Sequence, residues 1–156
     1  MRTCATVLLV LALAAAAAAS EKTNAAPNLA GTWSLDRDAS TSRDQPSKVV
    51  IRQTPAAIRF EFRQKGQAPQ FQTIITDGEP QKLYQNRQEK TQTRSKYEKG
   101  KLVVYTDHFM GGVWGSQYTD GPETWWLSPD GSTLNHKQAN GKLTVYRKDD
   151  PADKRH

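Results

Sequence analysis

Residues 58–63 read Ile-Arg-Phe-Glu-Phe-Arg, apolar and charged in strict alternation. An extended strand puts Ile58, Phe60 and Phe62 on one face and Arg59, Glu61 and Arg63 on the other, as a half-buried strand requires. Looser runs of the same period occupy 47–54, 70–76, 81–88, 91–98, 101–108, 123–128, 132–138 and 142–148. Between them stand Asp77-Gly78, Lys99-Gly100, Gly111-Gly112, Asp130-Gly131 and Asn140-Gly141, pairs that supply the positive φ of tight hairpins. Strands at about 10-residue spacing, joined by such pairs, predict an antiparallel meander. Apolar residues at i, i+3, i+4 and i+7 never persist, and a single helical turn is expected at Asp38–Ser42. The expected fold class is all-β.

An open sheet of about eight to ten strands would expose two edges, and closing it into a single up-and-down barrel removes them. A two-sheet sandwich is the alternative. Gly100-Lys101-Leu102-Val103-Val104-Tyr105 echoes Gly141-Lys142-Leu143-Thr144-Val145-Tyr146 at a propeller-like spacing of about 40 residues. Too little chain is present to close a propeller. Shared turn-and-strand chemistry accounts for the echo.

Arg2, the apolar run 7–13, an alanine tract and the small residues Ala17–Ser20 describe a secretory signal peptide. The run is short for a membrane span. The expected organisation is a signal at 1–20, a flexible lead at 21–28, a β-barrel domain at 29–148 and a charged tail at 149–156. The mature chain should begin near Ser20 or Glu21, lie in the periplasm or outside the cell, and have no stable membrane span after cleavage. Cys4, the only cysteine, falls in the leader, so packing or barrel closure must replace disulfides. A net charge of +6 favours anionic surroundings. The cations are scattered among acids with no basic stripe interleaved with aromatics, and together with export this excludes nucleic acid as a partner.

Gly31-Thr32-Trp33 opens the first strand, and here the chain resembles the lipocalin-like, or calycin, barrels. The resemblance implies that Trp33 closes one end of the barrel and that Arg147, from the last strand, packs across it. Secreted lipocalins carry a C-terminal helix and often disulfides, and neither is visible here. The fatty-acid-binding members need a helical pair where 36–47 is too short. Avidins place biotin-contacting Asn and Ser where this chain has Leu35 and Ala39, which argues against biotin. Secreted metalloprotease inhibitors of similar start depend on a cysteine pair.

His108, His136 and His156 are the only histidines and none lie at ligand spacing, so no metal site and no cofactor are expected. Ser116 lacks the closing glycine of a G-x-S-x-G elbow, and no catalytic residue is singled out. The strands between 81 and 98 are unusually polar. An inward Arg87 near Phe60 and Phe62 would suit a small amphipathic or anionic ligand, with apolar wall for its tail and a forked donor for a carboxylate. Tyr97 would add a polar contact, and Trp114 lies in a loop at the expected barrel mouth. The expected function is binding of a small amphipathic or apolar molecule by Phe60, Phe62, Arg87, Tyr97 and Trp114. The alternatives are a protein-interaction or inhibitor module working through its loops, and a pocket enzyme such as a hydrolase.

Overall fold

The structure, a computed structural model, describes residues 26–42, 44–85, 88–111 and 115–149. Ten antiparallel strands form one sheet that curls into a near-closed up-and-down barrel. They are β1 (Gly31–Asp36), β2 (Lys48–Gln53), β3 (Ala57–Arg63), β4 (Gln70–Ile75), β5 (Gln81–Gln85), β6 (Glu89–Glu98), β7 (Lys101–Met110), β8 (Ser116–Leu127), β9 (Thr133–Lys137) and β10 (Leu143–Lys148). The order β4-β3-β2-β1-β10-β9-β8-β7-β6-β5 leaves β4 and β5 as the free ends. Side chains bridge that seam: Ser95 Oγ on β6 donates to the Ile75 carbonyl, and the Ile75 amide donates to Gln81 Oε1.

Turn chemistry fixes the hairpins. Lys99 and Gly100 both have positive φ, 50° and 74°, and join Glu98 to its ladder partner Lys101 in a two-residue turn. At Asp38–Ser42 no helical turn forms. Asp36 Oδ1 instead accepts from the Asp38 and Ala39 amides, a local bond that competes with helix. β8 begins at Ser116, well before the run expected from 123. Gly121 and Pro122 are carried in a bulge opposite Tyr105, which a breaker pair permits without ending the strand.

The inward phase of β1 is anchored by Trp33, 1% exposed. Its indole Nε1 donates to the Leu29 carbonyl at 3.1 Å, while the Leu29 amide donates to Gln53 Oε1. The segment before β1 is thereby strapped across the barrel base. Gly31 lies on the same face as Trp33, and a Cβ on it would sit 3.2 Å from the indole nitrogen. The glycine of the Gly-x-Trp pair is the space the tryptophan occupies. Leu29, Val49, Ile51, Ile58, Phe60, Leu102, Trp125, Leu134 and Tyr146 form the hydrophobic core with it.

Arg147 does not pack across Trp33. It pairs with Ser34 on the outer face, and its Nε lies 2.6 Å from Asp36 Oδ2. Lys148 stands opposite Trp33 and carries its ammonium 5.8 Å from the ring centroid. The reason lies in the preceding turn. The two-residue turn before β7 places Leu102 and Val104 inward, whereas the longer 138–142 loop, closed by Gln138–Lys142 and Gly141–Gln138 backbone bonds, shifts β10 by one residue. Thr144 and Tyr146 then face in, and Leu143, Val145 and Arg147 face out. The two sequence echoes point opposite ways.

Asp107 is outward on β7 yet only 3% exposed, because Arg94 Nε and Nη2 donate to it at 2.8 and 3.2 Å and Thr119 Oγ1 at 2.7 Å. The Arg94 guanidinium holds its carboxyl at about 2, below the ordinary 3.8 and against the effect of burial.

Two outcomes follow from this packing. Trp33→Ala should cost about 3–5 kcal/mol, whereas Arg147→Ala removes a largely exposed cation from Asp36 and should cost far less. Urea unfolding of the two variants separates them, and equal losses would restore Arg147 to the Trp33 contact. The depressed Asp107 contributes stability that is fully present above about pH 4 and is lost as pH falls through about 2. Asp130, held to about 2 by the Ser128 and Ser132 hydroxyls, titrates in the same window. The readout is therefore a difference: melting temperature should fall less steeply from pH 4 to pH 2 in Asp107→Asn than in wild type. Parallel curves would exclude the Arg94–Asp107 pair as a stabiliser.

Candidate functional site

The meander brings the C-terminal ends of β1, β3, β5, β7 and β9 to one end, opposite the Trp33 base. Beneath this mouth, three strands deliver an aromatic stack. Phe60 and Phe62 alternate inward on β3 with centroids 5.8 Å apart, and Trp125 of β8 lies 4.9 Å from Phe60. His136 of β9, directly opposite Trp125 in the ladder, stacks on it at 3.7 Å and 6°. Phe60 is wholly covered and supports the stack. Phe62 is half-buried and lines a mouth cleft of about 510 Å³ with Arg37, Asp44, Gln45, Gln64 and Gln70.

A second cleft of about 540 Å³ meets the first at Gln45 and is lined by Asp120, Glu123, His136, Gln138 and Asn140. Here His136 Nε2 lies 3.3 Å from Glu123 Oε2. With that nitrogen donating to the carboxylate, Nδ1 is left as an acceptor, and it is buried without a partner. The Thr144 hydroxyl, across the ladder from His136, and the Tyr146 hydroxyl, at the next inward position, are also buried without partners. Burial pushes the Tyr146 phenol above the ordinary tyrosine range. Between them, the linings of the two clefts hold three carboxylates (Asp44, Asp120, Glu123) and one guanidinium (Arg37). The described part of the mouth is rich in amides and leans acidic.

Beyond the clefts, the long strands β6–β8 extend a wall. One cross-strand row on its inner face runs Tyr84–Thr91–His108–Tyr118. His108 stacks on Tyr118 at 4.7 Å, accepts or donates at Nδ1 to Thr91 Oγ1 over 3.4 Å, and meets Asp120 Oδ2 through Nε2 at 3.0 Å. Tyr84, Met110 and Tyr118 are each about half exposed. A hydroxyl, an imidazole and a carboxylate in sequence is the order used to activate a nucleophile. Among the described residues, no group of three His, Cys, Asp or Glu side chains converges as a metal would require.

The structure thus brings Phe60 and Phe62 together but leaves Tyr97 elsewhere. Tyr97 follows Leu102 inward at the base, its hydroxyl 3.5 Å from Gln53 Nε2. Arg87 and Trp114 lie outside the described residues. His108, Asp120, Glu123 and His136 were not legible as a site, because each His–carboxylate pair forms across a hairpin rather than at a sequence spacing. The one available signal was Asp120 and Glu123 flanking Gly121-Pro122. Gly121 matters to the geometry as well: a Cβ there would lie 3.2 Å from the Ala139 carbonyl, so glycine lets the β9–β10 loop approach β8.

Comparison with known protein families, curated proteins and solved structures finds no match.

His136→Phe keeps the ring on Trp125 while removing the unpartnered Nδ1 and the contact with Glu123. A buried polar atom without a partner costs about 1–3 kcal/mol, so this variant should unfold at higher urea than wild type. A lower midpoint would show that His136 is satisfied within the fold.

Proposed function

We propose that the protein is a lipocalin-like barrel that binds a small amphipathic molecule at its mouth rather than deep inside. The observation that carries this reading is the aromatic stack ending in half-buried Phe62 and in His136, where two amide- and carboxylate-lined clefts meet at Gln45. The buried residues below belong to one hydrophobic cluster. The ligand's apolar part rests on Phe62, and its polar end reaches Glu123, His136 and the surrounding amides. Carboxylates outnumber cations among these lining residues, so an uncharged or cationic head suits them better than an anion. Exported binding proteins of this kind would carry such a ligand outside the cytoplasm, in keeping with the expected leader.

Native mass spectrometry of protein purified from its own host tests whether a small molecule is retained. Titration with an alkyl amine, alcohol and carboxylate of one tail length then tests the chemistry. Phe62→Ala should weaken all three about equally, because each loses the same apolar contact. Glu123→Gln should weaken the amine selectively. Binding of none of the three, or loss of amine and carboxylate affinity alike on Glu123→Gln, overturns the reading.

The Thr91–His108–Asp120 string favours a second reading, a pocket hydrolase with Thr91 as nucleophile, His108 as base and Asp120 orienting it. Hydrolysis of an activated ester that His108→Ala abolishes would support it. Turnover that is absent, or indifferent to that substitution, removes it.

A further inference from the structure

The outer face of β6–β8 assembles what the sequence order conceals. The register sets Lys90 opposite Phe109, Arg94 opposite Tyr105 and Lys96 opposite Val103. Lys90 lies 5.1 Å from the Phe109 centroid, Arg94 and Lys96 lie 5.5 and 5.8 Å from Tyr105, and Lys101 lies 4.5 Å from Trp126. The stripe follows two ten-residue strands, a length of about 30 Å. Two acids share the face: Asp107 is covered by Arg94, and Glu98 is bridged by Lys96. Four cations against these two carboxylates leave the face net positive, with Lys90 and Lys101 outside both ion pairs. The arrangement is layered, with rings against the sheet and charged heads above them.

We propose that this outer wall docks the protein on an anionic lipid bilayer, the strands lying against the headgroup layer. Charge complementarity selects an anionic partner. The layering selects a bilayer. A headgroup zone presents phosphates outermost and a less polar glycerol and acyl boundary beneath, the same order as the lysine heads and the rings they cover. Long cationic side chains can swing from ring face to phosphate while Tyr105, Phe109 and Trp126 meet the interface. A dissolved polyanion would engage the cations and gain nothing from the rings. Asp120 and Glu123 lie in the inward phase of β8, so docking by the outer wall keeps these carboxylates off the anionic surface.

The test is co-sedimentation with phosphatidylcholine vesicles with and without roughly 30% phosphatidylglycerol. Wild type and variants are compared with the same N-terminus, so that any remaining leader contributes equally. Wild type should sediment with the anionic vesicles and not with pure phosphatidylcholine. The combined Lys90→Gln, Lys96→Gln and Lys101→Gln variant, which removes three of the four cations and keeps every ring, should lose roughly tenfold or more in affinity. Phe109→Ser, checked for unchanged near-ultraviolet circular dichroism, should weaken vesicle binding while leaving heparin binding as it was. Failure of wild type to sediment, or an undiminished triple variant, overturns the proposal. If Phe109→Ser leaves vesicle binding intact, or if heparin is bound more tightly than the vesicles, the face is a polyanion site and the bilayer assignment falls. None of these outcomes depends on the ligand at the mouth.

Discussion

The Trp33 indole is the contact on which the barrel depends. It fills the space that Gly31 leaves, donates to the Leu29 carbonyl and draws residues 27–30 over the base, where Gln53 grips both the Leu29 amide and the Pro27 carbonyl. Burial of this one side chain fixes the inward phase of β1. Because β1 is paired to β2 and β10, that phase passes to both halves of the sheet. A chain whose only cysteine is Cys4 has no intrachain disulfide and relies on such packing.

The opposite end is built on a different balance. There the core stops at the Phe62–Phe60–Trp125–His136 stack, and among the described residues the cleft linings above it are mostly amides and carboxylates, with Arg37. The unpartnered Nδ1 of His136 sits at this boundary, and the buried Thr144 and Tyr146 hydroxyls lie on the adjacent strand β10. A fold optimised only for stability would place apolar groups there. The unpartnered Nδ1 of His136, a residue lining the second cleft, supports setting the function at the mouth beside the aromatic stack.

Charge is distributed by face. Outward positions of β6 and β7 carry cations over aromatic rings, while the inward wall of β7–β9 carries His108, Asp120, Glu123 and His136. Strand alternation makes this segregation possible, since neighbours in sequence are separated by the thickness of the sheet. The scattered appearance of the cations along the chain is a consequence of that alternation. Positions 90, 94 and 96 share the outer face of β6 by alternation alone, and Lys101 and the rings Tyr105 and Phe109 join them only when β6 and β7 pair.

The sequence by itself determined the all-β meander, because alternation and positive-φ turn pairs are local and need no partner to be read. Phe60 and Phe62 were legible as one inward face for the same reason. Arg147 was misplaced because its facing depends on the length of the 138–142 loop, and one extra residue there reverses every side chain on β10. β8 was read short because Gly121-Pro122 ends a strand by propensity, while the paired β7 beside it turns the same dipeptide into a bulge. The His–carboxylate pairs, the covered Asp107 and the basic outer wall all join residues from different strands. Their register is set by the whole ladder, so only the tertiary structure decided them.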